Sequence, residues 1–457
     1  MEAEAFDLIV FGGGKAGKTL AMDQAKAGKR VAMVERGLIG GSCINVACIP
    51  SKALIRSAEL HALAGDGSAY GSPAEVGLDM AAVAGRTAAV VAEMVATNRK
   101  GFEASGLDLV LGWGKFVAPR VIEVATDAGP RRLTAPAIYL NLGTVADVPA
   151  IPGLAAAEPM THVEALRLET LPDRLIVLGG GYIGLELGQA FRKLGAEVLI
   201  IEQGPQIAAR EDTDIAEAMT TALRGDGIGF AVSAKVTEVS GLSGEQVTVT
   251  FEDGSCHSGS HLLVAAGRRP MTSGIGLELA GVELDARGLV KTDPQLRTTA
   301  EGIWALGEIA GTPMFTHASL DDYRVIKSRM TGGDRTTTGR MIPYCVFIDP
   351  ELARVGLNEK EAAKLGIAYR RVTLPMDVVP RARTLGERKG FMKALIGDDD
   401  RILGFAMLGA QAGEVMTAVH MAMLGGLPYT TVRDAIIAHP TLAEGLGMLF
   451  AVQPAKP

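Results

Sequence analysis

Apolar residues in this chain gather into short unbroken runs, each followed by a longer stretch with helical spacing. Phe6-Asp7-Leu8-Ile9-Val10-Phe11 reads as a strand that runs directly into Gly12-Gly13-Gly14-Lys15-Ala16-Gly17. A helix is expected from Lys18-Thr19-Leu20 to Ala27-Gly28, then a second strand, Arg30-Val31-Ala32-Met33-Val34, ending in Glu35. The same order returns far downstream. Arg174-Leu175-Ile176-Val177-Leu178 is a strand, Gly179-Gly180-Gly181-Tyr182-Ile183-Gly184 a loop, and Leu185 to Leu194 a helix. Glu197-Val198-Leu199-Ile200-Ile201 is the next strand, closed by Glu202. Strand, glycine loop, helix and strand thus occur twice in the chain, one set for each of two expected domains.

Elsewhere the period changes. Between about Lys235 and Val264 the chain alternates, as in Gln246-Val247-Thr248-Val249-Thr250-Phe251, which predicts strands around the turn Glu252-Asp253-Gly254. Leu262 to Val264, running into Ala265-Ala266-Gly267-Arg268-Arg269-Pro270, looks like the strand that ends the second unit. Pro149-Ala150-Ile151-Pro152-Gly153 reads as a crossover between units, and the breaker-rich stretch from Gly332 to Gly339 as a boundary. From about Met341 strand-like and helix-like patterns mix without a third glycine loop, so this part is expected to make oligomer contacts.

Strand, G-x-G-x-x-G, helix, strand, acid is a dinucleotide-binding pattern with a physical basis. Gly12 permits the tight turn, Gly14 lets backbone approach a pyrophosphate, and Gly17 packs helix on strand. The helix N-terminus offers N–H groups and partial positive charge to the phosphate, and Glu35 accepts from a ribose diol. Gly179, Gly181, Gly184 and Glu202 repeat the set. Two patterns imply two dinucleotides, with hydride passing between them if both are redox cofactors. Glu202 would repel a 2′-phosphate, so NADH is expected over NADPH, although Arg210 lies close in sequence.

At 457 residues the chain has room for about three domains. Its net charge of −7 argues against nucleic acid or an anionic membrane as partner. The start, Met1-Glu2-Ala3-Glu4-Ala5, lacks the basic opening of an export signal, and no apolar stretch is expected to reach the ~20 residues that span a bilayer. A cytoplasmic protein is expected. Four cysteines do not make a disulfide framework, yet Cys43 and Cys48 fall together in Gly40-Gly41-Ser42-Cys43-Ile44-Asn45-Val46-Ala47-Cys48-Ile49-Pro50-Ser51-Lys52. Their spacing exceeds that of a zinc motif, no second pair completes one, and the histidines do not cluster, so no metal site is expected. Positions five apart in a regular helix rise roughly 7.5 Å, whereas a disulfide wants Cα atoms about 5.5–6 Å apart. A bridge here needs a distorted turn. The pair by itself is equally consistent with two buried apolar cysteines.

Taken together, these motifs resemble the FAD-dependent pyridine nucleotide–disulfide oxidoreductases, the family of dihydrolipoamide dehydrogenase, glutathione reductase and mercuric reductase, almost end to end. The resemblance implies an α/β fold of two Rossmann-like domains, for FAD and NAD(P), plus a C-terminal α+β dimerisation domain. It assigns 1–148 and 270–336 to FAD, 149–269 to NAD(P), and 341–457 to a homodimer contact. Ile303-Trp304-Ala305-Leu306-Gly307-Glu308 looks like the second FAD motif, with Glu308 where the family has Asp. Gly41, Ser42, Gly114, Gly143, Thr144, Thr316 and His317 are further positions implied for FAD, and Gly267 for the pyridine nucleotide. By the same resemblance Cys48 faces the flavin and Cys43 exchanges with substrate. Lys52 matches a lysine near the flavin, Glu186 its ion-pair partner, and Tyr182 a ring that nicotinamide displaces. His439-Pro440-Thr441-Leu442-Ala443-Glu444 matches the C-terminal pair in which a histidine, oriented by a glutamate, serves the partner subunit's dithiol as acid and base.

Within the family, Lys15-Ala16-Gly17-Lys18-Thr19-Leu20-Ala21 is similar to the loop of the bacterial reactive-chlorine-resistance flavoproteins, which reduce copper(II). So are Ser319-Leu320-Asp321-Asp322-Tyr323-Arg324, Ile342-Pro343-Tyr344-Cys345-Val346-Phe347 and Gly426-Leu427-Pro428-Tyr429. Val379-Pro380-Arg381-Ala382-Arg383 resembles a segment found there and in mercuric reductases. The chain lacks the C-terminal cysteine pair and N-terminal metal carrier of those reductases, ending Gln453-Pro454-Ala455-Lys456-Pro457. The resemblance implies electron flow from NADH through FAD to Cys48, then Cys43, then a small-molecule or metal-ion acceptor such as Cu(II). The alternatives are dihydrolipoamide oxidation with NAD, mercuric-reductase-like activity, and redox sensing without rapid turnover.

Overall fold

The computed structural model describes residues 2–73 and 75–456. The chain forms two compact units. One comprises Met1–Leu54, Ala81–Asp147 and Gly267–Arg340, the other Ile55–Met80, Val148–Ala266 and Met341–Pro457.

In the first unit Leu8–Phe11 lies at the centre of a five-stranded parallel sheet, between Val31–Glu35 and Ile138–Leu140. Asp108–Leu111 and Ile303–Ala305 are its edges. Every residue of the strands Leu8–Phe11 and Val31–Glu35 is buried, which is why neither alternates. The helix Lys15–Lys26 begins three residues earlier than its apolar spacing suggests, with Gly14 at its N-cap. A smaller sheet joins Trp113–Ala118, Val121–Thr126 and Gly129–Thr134 to Glu4–Ala5.

The second unit contains a parallel sheet in which Arg174–Leu178 pairs with Glu197–Ile201 and His261–Val264, and Gly229–Ala231 completes one edge. The helix Tyr182–Lys193 follows the second glycine loop. The alternating stretch folds as three antiparallel strands, Val236–Leu242, Gln246–Phe251 and Cys256–Gly259, with Val247, Val249 and Phe251 turned inward.

Residues from Tyr344 onward build a five-stranded antiparallel sheet in the order Tyr344–Val346, Leu352–Gly356, Ile402–Leu408, Phe391–Ile396, Arg370–Pro375. Its core includes Met376, Met392, Phe405, Met407, Val419 and Phe450. On the strand Phe391–Ile396 the buried Lys393 donates to Asp212 at 2.8 Å, to Asp214 at 2.7 Å and to Glu359 at 2.8 Å. A buried ammonium so enclosed is tolerated because each hydrogen ends on a carboxylate.

One expectation needs correction. The helix Met80–Ser105, 26 residues long, is long and apolar enough by length and composition to cross a bilayer. Small Ala and Val side chains supply this apolarity rather than a run of large ones, and Arg86 and Glu93 interrupt it. Such composition also suits a helix lying along a protein surface, so it does not make a membrane span by itself.

Candidate active site

The two glycine loops are built alike. Gly12 has φ +104, and a Cβ there would come within 2.3 Å of the Asn141 carbonyl oxygen, so the turn admits only glycine. A Cβ on Gly17 would meet the Gly12 carbonyl at 2.4 Å, and one on Gly184 the Gly179 carbonyl at 2.1 Å. In each case the third glycine lets the helix close onto the turn. Asn141, which the sequence reading missed, accepts from Gly17 N at 3.0 Å and donates to the Leu306 carbonyl at 2.8 Å. It thereby ties the first loop to the segment that carries Glu308.

Glu35 accepts from Gly13 N at 2.9 Å, and Glu202 accepts from Gly180 N at 2.9 Å, each across 22 residues. The other Glu35 oxygen accepts from Gly37 N and Leu38 N, and that of Glu202 from Gly204 N. Both acids therefore brace their loops, a task the ribose argument did not foresee. The helices Lys15–Lys26 and Tyr182–Lys193 open on Gly14 and Gly181 without a side-chain cap and without an acid in the first turn. A Cβ on Gly181 would meet open space. Asn141 takes the Gly17 amide of the first helix, and the remaining first-turn amides, with no N-cap side chain and no first-turn acid, fit a pyrophosphate at each helix end.

Cys43 lies in a four-residue helix, Ser42–Asn45, and Cys48 opens the helix Cys48–Gly65. Between them Val46 leaves helical geometry, at φ −142 and ψ 9. This is the distorted turn the spacing requires, and it brings the thiols within hydrogen-bonding reach of each other. The bond to Cys48, then burial, push the Cys43 thiol up, while Thr316 and Lys18 oppose the shift. Thr316 Oγ1 lies 3.5 Å from Cys48 Sγ and begins the helix Thr316–Met330. Cys48 thus stands at its own helix N-terminus and beside another, a setting that favours a thiolate.

Lys18 was also missed. It follows the third glycine, is buried, and donates to the Gly40 carbonyl at 3.0 Å and to Asn98 Oδ1 at 2.7 Å. Burial, then repulsion by Lys15, lower its pKa to about 8, while the nearby Cys43 acts in the opposite sense. Lys15, Thr19, Asp23 and Gln24 share its helix, so nothing in the residue pattern set Lys18 apart.

Thr144 hydrogen-bonds to Glu308 and accepts from Arg268 Nε at 2.6 Å, and Arg268 also lies 3.4 Å from Glu308. The longer acid is thus held at the C-terminal side of the strand Ile303–Ala305. Gly307 N donates to the buried Asp322 at 2.6 Å, and Arg340 donates to the same carboxyl at 2.6 Å. His317 stacks on Phe315 at 5.4 Å. A Cβ on Gly114 would come within 3.0 Å of the Phe11 ring, while Gly143 and Gly267 take positive φ at the two ends of the short pairing 144–146 with 268–270. Gly41 and Ser42 immediately precede Cys43; Gly41 caps that short helix and closes on Gly14.

Lys52 lies in the first unit, near the start of the helix Cys48–Gly65, and Glu186 in the second. Glu186 is buried and accepts from Phe347 N at 2.9 Å. Tyr182, the first residue of its helix, hydrogen-bonds through its hydroxyl to Glu211. His439 Nδ1 lies 2.8 Å from Glu444 Oε2, with the ring largely exposed and the acid largely covered. Thr441 Oγ1 accepts from Glu444 N at 3.2 Å, which fixes the acid at the start of its helix.

A family model described as pyridine nucleotide-disulphide oxidoreductase matches residues 6–322, and the corresponding dimerisation-domain model matches 342–449. The probable pyridine nucleotide-disulfide oxidoreductase RclA of Escherichia coli is 36% identical over 454 residues, covering 98% of this chain and 99% of its own. A dihydrolipoyl dehydrogenase of Thermus scotoductus is 33% identical, over 97% of this chain and 96% of its own. The solved Cu(II) complex of the HOCl-induced flavoprotein disulfide reductase RclA from Escherichia coli superimposes with TM-score 0.91 at 35% identity, over 99% of this chain and 100% of that one. Since both nucleotide loops and the dithiol fall inside one continuous match, the chain belongs to the pyridine nucleotide-disulphide oxidoreductases.

Proposed function

We propose that this enzyme takes electrons from NADH, by way of FAD, into the Cys43–Cys48 disulfide and passes them to a metal ion such as Cu(II). The observation that carries the reading is the break at Val46, which holds two thiols together at two helix N-termini. FAD, when bound, supplies the two-electron relay between nicotinamide and sulfur. Cys48 is assigned the flavin-facing sulfur and Cys43 the one that meets the acceptor. The thiolate at Cys48 draws on the partial charge of the helix ends. Gly12, Gly14, Gly17, Glu35, Thr144 and Glu308 would hold FAD. Gly179, Gly181, Gly184, Glu202 and Gly267 would hold the pyridine nucleotide, and Glu202 supports NADH.

His439, oriented by Glu444, takes and returns the thiol proton for the partner subunit of a homodimer. Lys52 and Glu186 are assigned as an ion pair. Residues 1–148 with 270–336, 149–269 and 341–457 are assigned as the FAD, NAD(P) and dimer domains. A working dithiol suits the cytoplasm, where thiols stay reduced.

Soft thiolates suit copper, and the Cu(II) complex of the Escherichia coli relative supports this acceptor. The disulfide gains two electrons and two protons on reduction, and each Cu(II) takes one electron to become Cu(I). A second reading is dihydrolipoamide oxidation with NAD, supported by the likeness to the Thermus scotoductus enzyme. NADH consumption by the holoenzyme with Cu(II), Hg(II), lipoamide and oxidised glutathione, measured side by side, tests both. Rapid lipoamide turnover with negligible metal reduction sinks the first reading. No steady NADH consumption with any acceptor would leave redox sensing.

A further inference from the structure

Tyr182 is not held by its helix alone. Its hydroxyl donates to Glu211 Oε1 at 2.5 Å, and the Tyr344 hydroxyl donates to the same oxygen at 2.5 Å. The two rings stack with centroids 5.7 Å apart and planes 29° from parallel. Arg354 Nε donates to the Tyr344 hydroxyl at 2.5 Å and lies 3.6 Å from Glu211 Oε2. The rest of that guanidinium is fixed by Glu361, at 3.0 and 3.2 Å. Glu211 and Arg354 are almost completely buried, while the Tyr182 ring is half-buried. Burial, then the Glu211 charge, push both phenols up, so both remain proton donors.

These contacts lie within one compact unit and join Tyr182 and Glu211 to two neighbouring strands, where Tyr344 and Arg354 are paired, more than 130 residues downstream of Glu211. We propose that Glu211, Tyr344 and Arg354 form a latch that fixes the Tyr182 ring at the nicotinamide half-site, so that nicotinamide entry must break the Tyr182–Glu211 hydrogen bond. The inference rests on the reading of Tyr182 as the ring that nicotinamide displaces, and it adds what resists the displacement. When the ring leaves, Glu211 loses one of its two phenolic donors in a buried place, where an under-satisfied carboxylate is costly. Tyr344 and Arg354 stay behind to keep that charge compensated, which makes the movement reversible. Glu211, Tyr344 and Arg354 are therefore positioning residues, acting on the nicotinamide only through Tyr182.

The test is titration of oxidised holoenzyme with NAD⁺, comparing parent, Y182F, Y344F, the double variant Y182F/Y344F and Y182A. Each Tyr→Phe change keeps the ring and removes one donor. If the latch operates, Y182F binds NAD⁺ roughly ten- to a hundred-fold more tightly, the range expected for one hydrogen bond to a buried charge. Y344F shifts affinity by less, and the two changes combine non-additively because both act through Glu211. Affinity unchanged or weakened in Y182F, with Y182A still altering it, overturns the latch and leaves Tyr182 at the nicotinamide site. Affinity unchanged in Y182A as well overturns both that placement and the latch.

Discussion

At the residue scale the unusual groups are a thiol pair and a lysine. Cys48 Sγ shares its surroundings with Thr316 and with Cys43. If Cys48 faces the flavin, C48S holoenzyme loses the long-wavelength absorbance that a thiolate beside flavin produces after reduction, whereas C43S keeps it; absorption spectra during anaerobic titration decide this. Lys18 invites a different measurement. Its pKa in the folded protein is about 8, lowered chiefly by burial, whereas an exposed lysine titrates near 10.4. Between those values the unfolded chain carries more protons than the folded one, so stability rises with pH across that window. Replacing Lys18 by Met removes this contribution. The stability difference between parent and K18M, from urea unfolding at pH 7 to 10.5, should move in favour of the parent as pH increases. A difference independent of pH would mean that Lys18 is not a depressed lysine.

At the element scale the first turn and the carboxylate-ringed lysine are the points of greatest sensitivity. A methyl group on Gly12 would lie 2.3 Å from the Asn141 carbonyl oxygen in a left-handed conformation, so G12A should purify with little bound flavin, read from the ratio of visible to ultraviolet absorbance. Replacing Lys393 by Met strands three carboxylates around a buried position and should destabilise the chain by ~3–5 kcal/mol in urea. How legible these elements were follows from the range of the forces that make them. Strands such as Arg174–Leu178 and Gln246–Phe251 form where the apolar pattern puts them, because burial on one face or both is written locally. The helix Lys15–Lys26 starts earlier than its apolar positions indicate, since the glycine turn rather than the hydrophobic stripe determines its first residue. The helix Met80–Ser105 escaped notice because small residues weaken its apolar signal. The cluster of Tyr182, Glu211, Tyr344 and Arg354 could not be read at all. Its members sit on a helix start, a loop and two paired strands, and only the tertiary fold brings them together.

At the scale of the whole molecule, the motif pairs stood out in the sequence because their partners lie within a few residues, as His439 and Glu444 do. If that histidine serves the dithiol of a second subunit, C43S and H439Q are each inactive alone. Unfolded together and refolded as mixed dimers, they should regain turnover, because one of the two sites is then intact. Continued inactivity of the mixture, with hybrid dimers verified by mass, would place the histidine's work within its own subunit. The matched braces of Glu35 on Gly13 and Glu202 on Gly180 carry a further consequence. Two loops with the same backbone donors and the same acid read only what their guests have in common, the adenosine diphosphate half. Neither turn can tell a flavin coenzyme from a nicotinamide one, so each cofactor is sorted by the chemistry at its opposite end, and free ADP should compete at both addresses.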